Sequence, residues 1–365
     1  MVRGSHPAQW TPHNGLVTTK KSPSADARPT LDEVAEYAGV GRGTVSRVIN
    51  GSSQVSPKAR EAVERAVAEL GYVPNLAARS LVTRRTNAVA LVVSESQERV
   101  FGEPFFAGIV RGISSGLIDT QIQLWLAMAQ SRAERQRVES HLTTQHVDGV
   151  MLLSLHDDDP LPALVERRGL PLVLGGRPAR LTRPGASVEW FVDVDNIGGA
   201  RRAVEHLYRS GRQVIATITG PQDMGGGLER LSGYQQACEE HDLSCDADLI
   251  AYGDFSYDSG MAAMRQLLER RPDIDGVFAA ADLMAAGALR VLREHGRRVP
   301  EDVAVVGFDD SSLARQTDPS LTTVRQPIDE MGRAMARLLV TRISDEEPAQ
   351  PHAVLDTDLV IRESA

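Results

Sequence analysis

The chain of 365 residues exceeds one ordinary domain and has room for two or three. Its 42% hydrophobic and 24% charged residues are those of a soluble globular protein, and no apolar run approaches the roughly 18 residues that a bilayer span needs. The net charge of −9 argues against nucleic acid only if it is evenly spread, and it is not: residues 1–86 carry +5 and the remainder −14.

Residues 1–28 mix Pro, Ser, Thr, Gly and Lys without periodicity and are expected to form a disordered arm. They contain no apolar h-region, so a cytoplasmic protein without a secretory signal is expected. A first helix opens at Thr30, with Glu33 at capping-box spacing and Leu31, Val34, Ala35 and Ala38 as its apolar stripe. After the turn Gly39-Val40-Gly41, a second helix carries Thr44, Val45, Val48 and Ile49 and stops at Asn50-Gly51. A third starts at Ser56-Pro57 and runs to Leu70, with Gly71 as its stop. Two short helices joined by a tight turn and backed by a third describe a helix-turn-helix unit over residues 29–74, although periodicity alone also fits any small helical bundle. The stretch Asn75–Val82 is helical in composition but only about two turns long, too short to be stable alone. It and the linker to residue 86 separate the head from the remainder of the chain.

From Asn87 onward, short apolar and β-branched runs at Ala88–Val93, Leu124–Met128, Val147–Leu153, Pro171–Leu174, Val214–Ile218, Val277–Ala281 and Val303–Phe308 alternate with amphipathic stretches such as Arg132–Gln145, Gly199–Ser210, Ser256–Arg271 and Leu283–His295. Strands buried on both faces and separated by helices imply doubly wound parallel α/β sheets. The units are too many for one sheet, so two similar lobes are expected within residues 87–365. Cys238 and Cys245 are the only cysteines, and no Cys/His cluster has zinc spacing. Reduced thiols, no metal and no cofactor are expected.

TLDEVAEYAGVGRGTVSRVING at Thr30–Gly51 and QVSPKAREAVERAVAELGYVPNLAARSL after it resemble the DNA-binding head and hinge of the LacI/GalR family. The later blocks HVDGVMLLS, VDVDNIGGARRAVEHL, ATITGPQD, ERLSGY, ADLMAAGALRVLREHGRRVPEDVAVVGFDDS and SLTTVRQP follow in the order of that family, from Pro29 to Arg362. GEPFFAGI, LLSLHDDDP and YGDFSYDSG are most similar to the cellobiose-responsive repressors of actinobacteria. The resemblance implies an all-α helix-turn-helix head before a sensor of two doubly wound lobes like those of periplasmic sugar-binding proteins. It also implies a homodimer on a palindromic double-stranded DNA operator and a small sugar effector. No leucine heptad follows the last strand, so a dimer and not a coiled-coil tetramer is expected.

Arg42, Gly43 and Arg47 fall where the family reads base edges, and an arginine fork donates to guanine O6 and N7 together, so G·C-rich half-sites are expected. Thr44, Ser46 and Asn50 are placed as phosphate-positioning donors. Gly41 stands where Ser is common, with a small expected loss of capping or of one phosphate contact. In the hinge, Leu81 matches the apolar wedge that kinks the central base step, with Asn75 and Arg79 as phosphate or minor-groove partners. In the sensor, Arg230 matches the ligand-clamping arginine, Asp309 the hydroxyl-binding carboxylate and Phe255 the stacking ring. Phe101 and Phe105 follow the first strand, and Asp282 and Gln326 are expected to face the cleft. Ala281 departs from relatives that place a hydrogen-bonding side chain there.

Two other classes compete with this reading. Asp309-Asp310 and scattered His residues could suggest hydrolysis, but no nucleophile elbow, P-loop or metal spacing accompanies them, so no enzyme is expected. A transporter's solute-binding protein would share the lobes, yet would need a signal peptide and no helix-turn-helix head. A regulator using a non-sugar corepressor stays open.

Overall fold

The computed structural model describes residues 29–73, 85–143, 146–178, 190–344, 346 and 350–365, and the chain divides into two compact units between Arg84 and Arg85. The expected arm at 1–28 and hinge helix at 75–82, with Asn75, Arg79 and Leu81, lie outside the described residues.

The first unit holds α1 (Leu31–Ala38), α2 (Arg42–Ile49) and α3 (Pro57–Leu70). Thr30 and Glu33 close a full capping box: the Thr30 hydroxyl accepts from the Glu33 amide at 3.3 Å, and the Thr30 amide donates to the Glu33 carboxylate at 2.7 Å. Gly39 and Gly71 end α1 and α3 at φ +64° and +62°, where a side chain would be strained. Val34, Val45, Val48, Val63 and Ala66 are buried between the helices. A valine side chain taken out of water contributes about 1.5–3 kcal/mol, so these few residues carry much of so small a core.

The second unit begins with β1 (Ala88–Val93), α4 (Gln97–Gly102), α5 (Pro104–Gly116), β2 (Gln123–Met128), α6 (Arg132–Thr143), β3 (Gly149–Leu153), α7 (Leu161–Arg167), β4 (Leu172–Gly175) and β5 (Phe191–Val194). The chain then crosses into a second lobe at Asp195-Asn196. There it forms α8 (Asn196–Arg209), β6 (Ile215–Thr219), α9 (Gly225–Glu240), β7 (Ile250–Tyr252), α10 (Tyr257–Arg270), β8 (Gly276–Ala279), α11 (Asp282–Glu294), β9 (Ala304–Asp309) and β10 (Thr322–Arg325). It returns at Gln326-Pro327 for α12 (Ile328–Ile343) and β11 (His352–Leu355), then crosses a third time to β12 (Asp358–Val360).

Both sheets have the same winding. The first reads β11-β5-β4-β3-β1-β2 and is parallel throughout. The second reads β12-β10-β9-β8-β6-β7 and is parallel except for β12, which runs antiparallel to β10. The chain thus has the two α/β lobes expected, and strand carboxyl ends of both border the same space. β2 departs from the expectation of strands buried on both faces: it is an edge strand, with Trp125 52% and Leu126 40% exposed.

α12 is held in the first lobe by close backbone approach to α5. A Cβ on Gly112 would lie 2.3 Å from the Asp329 carbonyl oxygen, and one on Gly332 would lie 2.4 Å from that of Ile109. Among the described residues, no helix is long and apolar enough to cross a membrane.

Candidate functional site

On the head, α2 presents one face to solvent because the other is its share of the core. Val45 and Val48 point inward, leaving Arg42, Gly43, Arg47 and Asn50 exposed and Thr44 and Ser46 half-buried. The Arg47 guanidinium lies beside Gly43, 3.7 Å from where a Cβ would stand, an ordinary van der Waals distance. Arg42 makes a loose exposed pair with Asp32 at 3.5 Å, which leaves it available at little cost. Asn50 donates to Ser46 Oγ at 3.4 Å, and Gly41 caps α2 without any side-chain bond.

In the second unit a cleft enclosing about 1000 Å³ of empty space, including the part open to solvent, lies against the carboxyl ends of strands from both lobes. Arg230, on α9, is buried within it. Its Nε donates to Asn196 Oδ1 at 2.9 Å and its Nη1 to the Ala280 carbonyl at 2.6 Å, while the guanidinium lies 3.7 Å from the Phe308 ring centroid. Asp309 Oδ1 is 3.9 Å from Arg230 Nη1 and accepts a hydrogen bond from Gln326 Nε2. Burial pushes the Asp309 carboxyl up to about 6, against the opposing pull of Arg230 and Gln326. Its backbone sits at φ +123°, a conformation that costs a non-glycine residue roughly 1–3 kcal/mol. Asp310 next to it is clamped by Arg325 at 2.7 Å and Arg362 at 2.5 Å, so only Asp309 of the pair faces the cleft. Phe255, at φ +71°, and Phe105 also line it, the latter edge-on to Phe106 at 5.3 Å.

Arg230, Asp309, Gln326, Phe255 and Phe105 are therefore brought together. Two residues expected beside them are not. Phe101 is 73% exposed on α4 and does not line the cleft. Asp282 is buried beneath the floor, where it accepts from the Ser311 amide at 2.7 Å and the Thr323 hydroxyl at 2.5 Å. Burial, and then the neighbouring Asp309, push its carboxyl up to about 8. It ties α11 to β10 and supports the wall from behind. Ala281, with no side-chain cap to offer α11, does reach the lining.

Sequence reasoning singled out none of the other polar groups here. Asn196, at the first crossing, joins both lobes: its Nδ2 donates to Asp193 at 3.2 Å and to Glu229 at 3.1 Å, while its Oδ1 accepts from Arg230. Arg177 pairs with Glu229 at 3.1 Å, and its amide donates to Asp193 at 2.9 Å. Burial, and then Asp193, push Glu229 up to about 7. In the first lobe Arg99 is held between Glu95 at 2.8 Å and Glu103 at 2.7 Å. The four-residue spacing of Glu95, Arg99 and Glu103 was the available signal. His156 spans the lobes, with Nδ1 2.7 Å from Asp223 and Nε2 3.8 Å from Glu95. Glu95 first, and then Asp223, raise it to about 9, so the ring is cationic at neutral pH.

Residues 30–75 match the family described as bacterial regulatory proteins, lacI family, and residues 204–365 match a periplasmic binding protein-like domain. The chain is 58% identical over 337 residues to the HTH-type transcriptional regulator CelR of Thermobifida fusca, covering 92% of this chain and 98% of that one. It is 32% identical over 351 residues to the HTH-type transcriptional repressor CytR of Escherichia coli strain K12, covering 94% and 98%. Among solved structures, a CelR–cellobiose complex superposes with TM-score 0.73 at 56% identity, covering 93% of this chain and all of that one. The lac repressor dimer bound to operator and the anti-inducer ONPF superposes with TM-score 0.79 at 28% identity, covering 93% and 99%.

Proposed function

Because the chain belongs to the LacI family of bacterial regulatory proteins, we propose that it is a transcriptional repressor whose hold on a palindromic operator is controlled by cellobiose or a short cello-oligosaccharide in the interlobe cleft. The observation that carries the reading is the convergence of Arg230, Asp309 and Gln326 with the rings of Phe255 and Phe105 in one cleft. Polar forks for hydroxyls beside aromatic faces for a pyranose ring are what sugar recognition needs. The solved CelR–cellobiose complex, at 56% identity, supports the choice of sugar.

On this reading Arg42 and Arg47 reach base edges, and Thr44, Ser46 and Asn50 fix register on phosphates. Leu81 wedges the central step, with Asn75 and Arg79 beside it. A homodimer in the cytoplasm supplies two heads for the two half-sites. The sugar favours a lobe arrangement incompatible with folding of the hinge helix, and so acts as inducer.

Gel shifts on the DNA upstream of the gene, with and without cellobiose, test this. Specific retardation relieved by cellobiose is expected. Retardation strengthened by the sugar would make it a corepressor, and no specific retardation would sink the repressor reading. A rise in melting temperature with cellobiose, absent with unrelated sugars, reports binding independently of DNA.

A further inference from the structure

The charge pattern of the cleft decides more than where a sugar sits. Among the described residues three cations line it, Arg99, Arg177 and Arg230, and each has a carboxylate near it. Arg99 is clasped by Glu95 and Glu103, Arg177 is paired with Glu229, and Arg230 faces Asp309. Glu103, Asp193 and Asp309 also line the cleft, with Glu95, Glu229 and Asp282 immediately behind them. Among the described residues of this site, no guanidinium is left without a carboxylate near it. A site built for a carboxylate or phosphate ligand does the opposite and holds an uncompensated arginine fork for the anion.

Resting on the cello-oligosaccharide reading, we infer that the cleft selects its sugar by charge: it accepts neutral saccharides and rejects their uronic-acid counterparts, and Glu103 is a specificity-determining residue for that rejection. Glu103 stands at the N-terminus of α5, in the first-lobe wall opposite Asp309, and neutralises Arg99, the cation of that wall. An ionised ligand would meet both Glu103 and Asp309 in a cleft between low-dielectric protein walls, where like charges repel more strongly than in bulk solvent.

The groups facing these two carboxylates fix the pH dependence. Glu103 sees Arg99, Glu95 and Asp254, and its carboxyl lies above the ordinary range because it is buried. Asp309 sees Arg230, Gln326, Glu103 and Asp282, and titrates at about 6. A sugar carboxylate stays ionised well below that. Acidification therefore discharges the protein side first, and rejection weakens as pH falls.

The test is calorimetric titration of the full chain with cellobiose and with the same disaccharide carrying a carboxylate at its terminal C6. Both rings stay intact in this pair, so charge and not shape is compared. At about pH 7.5 the acid is expected to bind at least about thirtyfold more weakly than cellobiose, and the gap should narrow at about pH 5. In Glu103→Gln the acid-to-neutral affinity ratio should rise about tenfold, while Glu103→Asp, which keeps the charge, should restore the wild-type ratio. Thermal scans of both variants confirm that each is folded. An acid bound within threefold of cellobiose by the wild type, or a ratio indifferent to Glu103→Gln, overturns the inference and leaves the cello-oligosaccharide reading intact. If cellobiose fails to bind, that reading falls instead, and glucose against glucuronate and galactose against galacturonate carry the same comparison. If none of these neutral sugars binds, the inference falls with it.

Discussion

At the scale of single residues, the two faces proposed to contact ligands differ in how cleanly they can be tested. Arg47 is exposed and, among the described residues, has no hydrogen-bond or ion-pair partner, so Arg47→Ala disturbs little beyond what it contacts on DNA. Specific operator affinity should fall by about 1–3 kcal/mol, with relaxed preference at one symmetric base pair. Equal weakening on all sequences in a binding-site selection would make it a phosphate contact. Arg230 is not clean in this sense. It also bonds Asn196 and the Ala280 carbonyl, and its loss would strand the carboxylates around it. Asp309→Asn is the better variant, since Asn can still accept from Gln326. Sugar affinity should drop by about 1.5–3 kcal/mol with operator binding retained, and an unchanged sugar titration would remove Asp309 from the site. Asp309 and Gln326 were legible as residues at or just past a strand end, where the fold directs side chains into the cleft, whereas Arg230, inside α9, and Phe255, between β7 and α10, were legible only through the family resemblance. Phe101 and Asp282 were misplaced for one shared reason: a residue one step along a helix faces another way, and no spacing rule says which step the cleft uses. Asn196 was passed over because an amide at a chain crossing has no periodic signature.

At the scale of elements, the head was readable almost to the residue because caps and stops are local chemistry. Thr30→Ala removes the hydroxyl half of the capping box, leaving the backbone amide of position 30 bonded to Glu33, and should cost the head about 1 kcal/mol, within the range of about 0.5–2 kcal/mol seen for such caps. A head whose chemical unfolding does not change on this substitution would show that α1 is held by its core alone. The sheets were less legible. β5, β7, β10, β11 and β12 span three or four residues each, too few for an apolar run to stand out. The docking of α12 on α5 was equally hidden, since it rests on glycines that sequence pattern treats as breakers. Gly112→Ala forces a methyl group against the Asp329 carbonyl and should destabilise the sensor by about 1–3 kcal/mol. Denaturant melts of the variant check this, and no loss would mean that the helices slide apart freely.

At the scale of the whole molecule, the raised carboxyls and the raised histidine act in one direction. Asp309, Glu229 and Asp282 hold protons in the folded state that the unfolded chain releases, so the stability they contribute is complete below about 4 and is lost as pH rises through 6 to 8. The contribution of His156 is complete below about 6.5 and is lost as pH rises through about 9. Melting temperature should therefore fall between about pH 5 and pH 9, and His156→Gln should flatten the upper part of the curve. A profile that rises over this span would contradict the assignment of these groups. The three crossings also bear on synthesis. The head, residues 29–73, is a complete packing unit as soon as it leaves the ribosome. The first lobe cannot close when its first five strands have emerged, because α12 and the edge strand β11 arrive only at residues 328–355, after nearly all of the second lobe has been made. A nascent chain must therefore hold an unfinished sheet, with one face of α5 uncovered, while the other lobe is translated.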